Sequence, residues 1–310
     1  MPYKEGLISV VIPTHNRQDL IERAVCSVQR QTYPNIEIIV VSDGSTDATA
    51  EVMKTICEND CRVSFIEYHP NKGGNHARNT GIRAANGEWV AFLDDDDEWY
   101  NDKLEKQMQI VKENKNIGLV CTGINAIYDV DNTSSVYIPK VAYDSSREIL
   151  LGNTIGSTTT VMVRHDILDE CGMFDEDLMA KQDFDLWIRV CQITKIGVVR
   201  EPCVKYHNLA QNNQISWNYE KYAKATEYIE KKYKDLYEAN LSKQEMKRVC
   251  ANNMFSIARK AMKTNDGKVA RKYIKKSLKY KVRPIVIMSW FASFLPFEVI
   301  NKVNIFIKKK

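Results

Sequence analysis

The amino-acid sequence predicts an α/β fold, in which helices flank an open sheet, followed by a C-terminal helical extension. Short and nearly continuous apolar runs, typical of strands buried on both faces, alternate with segments whose apolar residues have helical spacing. Polar residues follow directly on several of these runs, and helical spacing prevails beyond about residue 216. We therefore expect a sheet domain over residues 1–215 and a basic helical region over residues 216–310.

The first half of the sheet domain is predicted to consist of βαβ units, because strands alternate with helices of ordinary length. The strands are expected at residues 7–14, 36–41, 63–68 and 89–93. Helices are expected at residues 20–28, 48–56 and 80–85, with Ser45 or Thr46 as the N-cap of the second. The loop over residues 69–79 contains the pair Gly73–Gly74, which would let backbone amides approach a phosphate; a flexible connection is the alternative.

Five acidic residues, Asp94–Glu98, follow directly on the apolar run Trp89–Leu93. Asp is a poor strand former and neighbouring carboxylates repel one another, so local structure does not explain this run. In an open α/β sheet, ligands bind in the crevice outside the carboxyl ends of the strands. A divalent cation that carries a diphosphate would neutralise the cluster, since Mg²⁺ is typically held by carboxylates together with phosphate oxygens. The alternative is a solvated acidic loop.

The second half of the sheet domain is less regular. A helix is predicted at residues 103–114, strands at 117–121, 158–163 and 196–206, and an irregular hairpin at 125–140 with its turn at 129–132. Asp183 stands at the start of a predicted helix, where the helix dipole favours an acid and the carboxylate is free to face a crevice. Three Lys-rich helices are expected at 219–237, 243–263 and 268–280.

The charge of the chain is divided unevenly. Residues 1–207 hold 21 Lys and Arg against 32 Asp and Glu, whereas residues 208–310 hold 23 against 8. This asymmetry predicts an anionic partner for the helical region.

No G-x-G-x-x-G follows a strand and no P-loop occurs, so dinucleotide oxidoreductases and P-loop kinases are disfavoured. Eight scattered cysteines and the lack of a leading signal sequence predict a cytoplasmic protein with reduced thiols.

An apolar segment near the C-terminus, residues 285–297, has two interpretations. It is 13 residues long and contains Pro296, so it falls short of the ~20 residues of a membrane-spanning helix. The basic residues Lys281, Arg283, Lys302 and Lys308–Lys310 surround it, as is typical of a helix that lies in a membrane interface. A helix that packs on the core of the protein fits the same composition.

Four motifs, in this order, resemble those of glycosyltransferase family 2, a large inverting family with the glycosyltransferase-A fold. They are Val11–Arg17 (VIPTHNR), Val41–Asp47 (VSDGSTD), Phe92–Asp97 (FLDDDD) and Gln182–Trp187 (QDFDLW). The resemblance covers roughly residues 5–215 and implies a Rossmann-like mixed sheet. It also implies transfer of a sugar from a nucleotide-diphosphate sugar, with UDP as the expected nucleotide and Mn²⁺ or Mg²⁺ as cofactor.

The resemblance implies a role for each matching residue. Asp94 and Asp96 match the D-x-D pair of the family, and Asp183 matches its catalytic base. Family members often carry Glu where this chain has Gln182, which leaves the base itself in place. The residues implied in binding the nucleotide sugar are Thr14, Asn16, Arg17, Asp43, Gly74, Arg78, Asp94 and Asp95. Among them, Asp43 would accept a hydrogen bond from the nucleobase. Those implied in holding the metal beside the diphosphate are Asp96, Asp97 and His207.

The expected function is metal-dependent, inverting sugar transfer to a glycan or lipid-linked glycan in the biosynthesis of cell-surface polysaccharide. The protein would be peripheral on the inner face of the plasma membrane, held through its basic helices by anionic lipid. One alternative is a nucleotidyltransferase acting on a sugar phosphate, although the turn after the first strand has no glycine. Another is a non-catalytic adaptor that binds a membrane; signatures of nucleic-acid binding are absent.

Overall fold

A computed structural model of the protein describes residues 3–128, 133–208, 218–297 and 299–300. The chain divides into two compact units. The first comprises residues 1–149, 153–177 and 182–210, and the second comprises residues 150–152, 178–181 and 211–310. The expected boundary at residues 215/216, the hairpin turn at 129–132 and the basic residues Lys302 and Lys308–Lys310 lie outside the described residues.

The first unit is built on one mixed sheet, which has nine strands among the described residues. These are β1 Lys4–Thr14, β2 Ile36–Asp43, β3 Val63–Tyr68, β4 Gly87–Phe92, β5 Glu98–Trp99, β6 Ile117–Tyr128, β7 Thr133–Tyr137, β8 Val161–Arg164 and β9 Lys195–Asn208. Their spatial order is β3-β2-β1-β4-β8-β6-β9-β5, and β7 pairs with β6 to form the expected hairpin. Strands β3, β2, β1 and β4 are parallel, whereas β8 is antiparallel to both of its neighbours.

Six helices of the first unit connect these strands. They are α1 Ile21–Gln29, α2 Thr49–Asn59, α3 Gly74–Ala84, α4 Lys103–Glu113, α5 His165–Cys171 and α6 Gln182–Ile193. Helix α1 places Ile21, Val25 and Val28 in the core beside Ile8 and Ile12 of β1, and all five are fully buried. This packing explains the nearly continuous apolar run of β1, since a strand covered on both faces needs apolar residues at every position.

The register of the parallel strands brings three loops to one edge of the sheet. Thr14 of β1 pairs with Ser42 of β2, and Val11 pairs with Phe92 of β4. The carboxyl ends of β1, β2 and β4 therefore lie side by side. The loops that follow them carry three of the four sequence motifs.

Three local expectations are wrong. Thr158–Thr160 form a 3₁₀ turn rather than the start of a strand, because the Thr160 hydroxyl and amide both bond to the Ser157 carbonyl. Helix α3 begins at Gly74, six residues before the expected start. Neither Ser45 nor Thr46 caps α2: the Ser45 hydroxyl accepts from the Asn16 amide, and the Asp47 carboxylate accepts from the Thr49 amide instead.

The second unit is helical. Its helices are α7 Tyr219–Lys232, α8 Lys234–Asn240, α9 Lys243–Lys263, α10 Gly267–Tyr280 and α11 Pro284–Ala292, so the expected helix at 219–237 is interrupted at Tyr233. A capping box between Ser242 and Glu245 begins α9, and Asp266 caps α10. Within the described residues, every helix is too short or too polar to span a bilayer.

Candidate active site

The acidic loop Asp94–Asp97 lies at the carboxyl end of β4, at the edge where the parallel strands end. Asp94 is the best paired of the four. Its Oδ1 atom accepts a hydrogen bond of 2.7 Å from Arg78 Nη2, and its Oδ2 atom accepts one of 3.2 Å from the Thr158 hydroxyl. Arg78 comes from α3 and Thr158 from the 3₁₀ turn before β8. Three segments that are distant in the sequence therefore converge on this carboxylate.

In the other three aspartates the ionised form is disfavoured, because the protein supplies too little positive charge beside them. Burial raises the pKa of Asp95 to about 7, although Arg17 Nε lies 3.7 Å from its Oδ1 atom. Burial and Asp94 raise the pKa of Asp96. The pKa of Asp97 lies well above its usual range, through burial first and then through Asp96 and Asp94. Raised pKa values of this kind mark a place that favours an added positive charge.

Asp97 is 1 % exposed, and its two carboxylate oxygens differ. Oδ1 accepts a hydrogen bond of 3.2 Å from the backbone amide of His207, whereas Oδ2 is buried without a hydrogen-bond partner among the described residues. The His207 ring does not bond to this oxygen; its Nε2 atom lies 2.9 Å from Glu98 Oε1 instead. His207 thus contacts the acidic loop through its main chain and contacts Glu98 through its side chain.

These residues fit a bound divalent cation, even though no three carboxylate, imidazole or thiol groups converge as a complete ligand set in the described part of the chain. The fit rests on the buried, unpartnered Oδ2 atom of Asp97 and on the unbalanced charge of Asp95 and Asp96. A cation that takes its remaining ligands from phosphate oxygens needs only one or two carboxylates from the protein.

The loops after β1 and β2 are tied together by the predicted nucleotide-binding residues. Asn16, in a left-handed conformation at φ 53°, accepts a hydrogen bond of 2.7 Å from the Thr46 amide through its Oδ1 atom. Thr14 is buried at the end of β1. Arg17 donates its backbone amide to the Thr49 hydroxyl and directs its guanidinium toward Asp95. The structure thus brings Thr14, Asn16 and Arg17 to the same edge as the acidic loop.

Asp43 organises the loop that follows β3. Its carboxylate accepts hydrogen bonds from the Tyr68 hydroxyl at 2.9 Å and from the amides of Lys72 and Gly73 at 2.7 and 2.8 Å. A carboxylate has about four acceptor positions, so three protein donors leave room for one more. Gly74 opens α3 directly after this loop, and Arg78 follows one turn later.

Asp183 lies in the first turn of α6, as expected from the sequence. Its Oδ1 atom accepts from the Phe184 amide at 2.8 Å, and its Oδ2 atom accepts from the side-chain amide of Asn153 at 3.0 Å. Tyr206 of β9 links this carboxylate to the acidic loop electrostatically. Burial raises the pKa of the Tyr206 hydroxyl, and so do, in decreasing order, Asp97, Asp96, Asp94 and Asp183. The loop and Asp183 therefore act on the same phenol.

Sequence reasoning missed four residues of this site. Asn153 contacts Asp183, and Thr158 contacts Asp94. The charges of Asp94 and Asp183 both raise the pKa of Tyr206. Arg23 donates to the Asp96 carbonyl at 2.7 Å and lies 3.6 Å from Glu98. Only Asn153 had a visible signal, because the sequence Gly152-Asn153-Thr154-Ile155-Gly156 is rich in turn residues. The other three lie inside segments whose pattern predicts only ordinary helix or strand.

The family model described as glycosyl transferase family 2 matches residues 9–172, which include the first three motifs and the acidic loop. The chain belongs to glycosyltransferase family 2. TuaG of Bacillus subtilis (strain 168), assigned as a glycosyltransferase of teichuronic acid biosynthesis, is 32% identical over 235 residues, 74% of this chain and 90% of TuaG. The amylovoran biosynthesis glycosyltransferase AmsB of Erwinia amylovora is 31% identical over 214 residues, 66% of this chain and 70% of AmsB.

Solved structures show the fold of this family 2 member. Residues 1–349 of TarS of S. aureus, in complex with UDP-GlcNAc, superimpose with a TM-score of 0.59 at 17% identity, over 88% of this chain and 89% of that fragment. The mannosyltransferase PcManGT of Pyrobaculum calidifontis, in complex with GDP-Man and Mn²⁺, gives 0.60 at 17% identity, over 94% of this chain and 82% of PcManGT. The expected glycosyltransferase-A fold, with a mixed sheet and C-terminal helices, is confirmed.

Family membership establishes the protein as a glycosyltransferase. It favours this activity over the two alternatives from the sequence, the nucleotidyltransferase and the non-catalytic adaptor. The names of both relatives assign them to the biosynthesis of a polysaccharide.

Proposed function

We propose that the protein is a metal-dependent, inverting glycosyltransferase that moves a sugar from a UDP-sugar to a hydroxyl of a glycan or lipid-linked glycan during cell-surface polysaccharide biosynthesis. One observation carries the proposal: the carboxylates Asp95–Asp97, of which Asp97 is buried, have raised pKa values and stand at the ligand-binding edge of the sheet in a family 2 chain. The complex of TarS with UDP-GlcNAc and that of PcManGT with GDP-Man and Mn²⁺ support the donor class.

In this proposal, the loops after β1 and β2 bind the nucleotide. Thr14, Asn16 and Arg17 line the nucleotide pocket. The remaining acceptor position of the Asp43 carboxylate receives a hydrogen bond from the nucleobase. The amide-rich start of α3 at Gly74 borders the diphosphate, as helix N-termini commonly do. Arg78 neutralises Asp94 and so reduces repulsion between the acidic loop and the donor.

Asp96 and Asp97 would hold Mn²⁺ or Mg²⁺, with Asp95 close by. His207 would take part only through Nδ1 or after Nε2 leaves Glu98. When bound, the cation stabilises the negative charge of the departing diphosphate. The raised pKa values of Asp95–Asp97 mean that the cation competes with protons for these carboxylates.

Asp183 would act as the general base. The acceptor oxygen forms a bond to the anomeric carbon, its proton passes to the Asp183 carboxylate, and the bond from that carbon to the diphosphate oxygen breaks with both electrons leaving on the diphosphate. A single in-line displacement of this kind inverts the anomeric centre. Such a base contributes typically ~10²–10⁴-fold in rate, and the Asn153 amide holds its carboxylate in one orientation.

The charge of the second unit supports a proposal for the acceptor and the place of action. We propose residues 1–215 as the catalytic domain and residues 216–310 as a region that associates with the inner face of the plasma membrane. Residues 208–310 contain 23 basic and 8 acidic residues. This positive charge supports attraction to anionic lipid. A lipid-linked glycan would be presented at such a surface.

The test uses the purified full chain with Mn²⁺ and a panel of UDP-sugars and GDP-sugars, and measures release of UDP or GDP with and without glycan acceptors. We expect turnover with a UDP-sugar. Asp183→Asn and Asp97→Asn should each lower turnover by ~10²-fold or more, whereas Asp235→Asn, an exposed aspartate in α8, should leave it unchanged. Full activity of the Asp183→Asn variant would refute the assignment of the base. In a parallel assay with a nucleoside triphosphate and a sugar phosphate, release of pyrophosphate without any turnover of nucleotide sugars would refute the glycosyl donor.

A further inference from the structure

Helix α11 and the turn after it present an apolar face that is largely exposed. Met288 is 65 % exposed and Phe291 is 64 % exposed. Of the fifteen large apolar side chains that are exposed in the described part of the chain, nine lie between residues 280 and 299. Monomeric proteins rarely expose apolar patches of this kind, and those that do mostly use them to contact a membrane or a partner.

The opposite face of α11 accounts for its packing on the protein. Val286 is fully buried against Ala258 of α9 and Ile274 of α10, and Trp290 packs on the same cluster. The Ser293 hydroxyl is buried one turn later and donates to the Trp290 carbonyl. Packing on the core therefore uses one face of the helix only. The sequence left open whether this segment packs on the core or lies in an interface, and the two faces of α11 allow both.

The outward residues form one stripe, because they recur every three or four positions along the helix and the turn that follows it. This stripe, which we term the outer face of α11, consists of Ile285, Met288, Phe291, Phe294 and Leu295. A helix that is apolar all round is normally buried in a core or a membrane. For α11 the packing on α9 and α10 buries only the side that carries Val286.

Helix α10 adds a basic surface next to the outer face. The segment Gly267–Arg283 contains no acidic residue and eight basic ones, which are Lys268, Arg271, Lys272, Lys275, Lys276, Lys279, Lys281 and Arg283. Six of these, the lysines, are exposed. The guanidinium of Arg271 lies 4.3 Å above the Phe294 ring and donates to the Ser293 carbonyl at 3.0 Å. This contact fixes the basic helix beside the apolar stripe.

A cavity of about 560 Å³ lies where the two surfaces meet. Its lining includes the basic residues Lys268 and Arg271 and the apolar residues Phe294, Leu295 and Pro296. Positive charge and apolar surface thus alternate over a short distance, which matches the boundary between phospholipid headgroups and acyl chains.

We propose that the outer face of α11 inserts into the interface of an anionic phospholipid bilayer while the lysines of α10 contact the headgroups. The inference deepens the proposed function and rests on it for the presence of a lipid-linked acceptor at that bilayer. Charge complementarity favours lipid over a second copy of this chain, because two copies joined through this surface would bring two sets of eight basic residues together.

The test is co-sedimentation of the full chain with vesicles of phosphatidylcholine alone and of phosphatidylcholine mixed with phosphatidylglycerol. We expect binding to the anionic vesicles to be at least about tenfold tighter and to weaken with salt. Ile285→Ser combined with Met288→Ser should weaken it by about tenfold. Val136→Ser combined with Met179→Ser, at side chains that are 60 % and 59 % exposed elsewhere, is the matched control and should bind as the unaltered chain does.

A second variant tests the same surface in case the Ile285/Met288 variant does not fold. Lys272→Gln, Lys275→Gln and Lys276→Gln together alter only exposed side chains, and should remove most of the preference for anionic vesicles. Binding of the Ile285/Met288 variant that equals that of the unaltered chain would overturn the proposal. So would self-association without lipid that this variant abolishes, since a second copy would then cover the face. Vesicle binding together with absent sugar transfer would refute the proposed function and leave the membrane contact standing.

Discussion

The side-chain amide of Asn153 donates a hydrogen bond of 3.0 Å to the Oδ2 atom of Asp183. The same side chain is fixed by its own turn, because its Oδ1 atom accepts from the amides of Ile155 and Gly156 at 3.2 and 3.1 Å. Trp187 of α6 donates its indole N–H to the Gly156 carbonyl at 3.0 Å and anchors the turn to the helix that carries Asp183. Asn153 is therefore a rigid donor to the proposed base.

Replacement of Asn153 by alanine should lower kcat by about tenfold with little change in KM for the donor, because the carboxylate loses its orientation. The acidic limb of the pH–rate profile should move toward higher pH, since the ionised carboxylate loses a hydrogen-bond donor. Asn59→Ala is the control: Asn59 is exposed and bonds only within α2 in the described contacts. An unchanged pH profile would show that Asn153 has no role in positioning.

Removal of one charge from the acidic loop should stabilise the metal-free protein while it abolishes activity. In the unfolded chain these carboxylates ionise near pH 3.8, whereas Asp95 keeps its proton to about pH 7 in the folded protein. Folding stability attributable to them therefore falls as the pH rises through this range. We expect Asp97→Asn to raise Tm at pH 7.5 in the absence of metal, because Asp97 is the most buried of the group.

The same variant tests the cation by a thermal shift. Mn²⁺ with UDP should raise the Tm of the unaltered protein, and by more at pH 7.5 than at pH 5.5, because protons compete for the carboxylates at the lower pH. Asp97→Asn should lose most of this shift, whereas Asp235→Asn should keep it. An equal shift for both variants would place the cation elsewhere.

Gly44 is expected to tolerate no side chain. It has φ of +70°, and a Cβ atom there would lie 2.7 Å from the backbone nitrogen of Asn71, in the loop that Asp43 binds. Gly44→Ala should reduce the free energy of unfolding by about 2–4 kcal/mol and weaken UDP binding through displacement of the loop. Gly73→Ala separates strain from clash, since Gly73 has φ of +97° and a Cβ atom there would meet no other atom within 4 Å. With ψ of 156°, this is a conformation that essentially only glycine adopts, so the variant should reduce the free energy of unfolding by about 1–3 kcal/mol through backbone strain alone, measured by urea titration.

The buried Lys103, outside the active site, should make the folding stability depend on pH. Its ammonium group is fully buried, lies 3.8 Å above the Trp99 ring and donates to Gln107 Oε1 at 2.8 Å. Burial lowers its pKa from 10.5 to about 7. The unfolded chain keeps this proton up to about pH 10.5. Burial of the charged lysine therefore destabilises the folded protein most below pH 7, and this loss of stability disappears as the pH rises toward 10.5.

The stability of the unaltered protein relative to Lys103→Met should therefore increase between pH 7 and 10, by about 3 kcal/mol. Chemical denaturation of both proteins at several pH values measures this difference. Lys106→Met is the control, because the ammonium group of Lys106 is ion-paired at the surface with Asp102 and Glu201. A stability difference that does not vary with pH would show that Lys103 remains charged in the folded protein.

Much of the fold could be read from local patterns. The apolar runs located β1 to β4, and the helical spacing located α1, α4, α9 and α10 to within one or two residues. The pattern failed where polar side chains bond locally. Thr158–Thr160 resemble a β-branched strand, but the Ser157 carbonyl holds them in a tight turn that directs Thr158 toward Asp94. Propensity could not reveal this, because the competing hydrogen bonds depend on the surrounding fold.

The sequence by itself determined the family of this glycosyltransferase and the position of its acidic run, because strand periodicity and the order of the motifs are properties of the chain alone. Only the tertiary structure decided which partners each acid has. Arg78 pairs with Asp94, Asn153 bonds to Asp183, and Asp97 Oδ2 is left without a donor among the described residues. The two pairs join residues that are 16 and 30 positions apart, and the state of Asp97 depends on burial. Both arise only when the fold brings separate loops to one edge of the sheet.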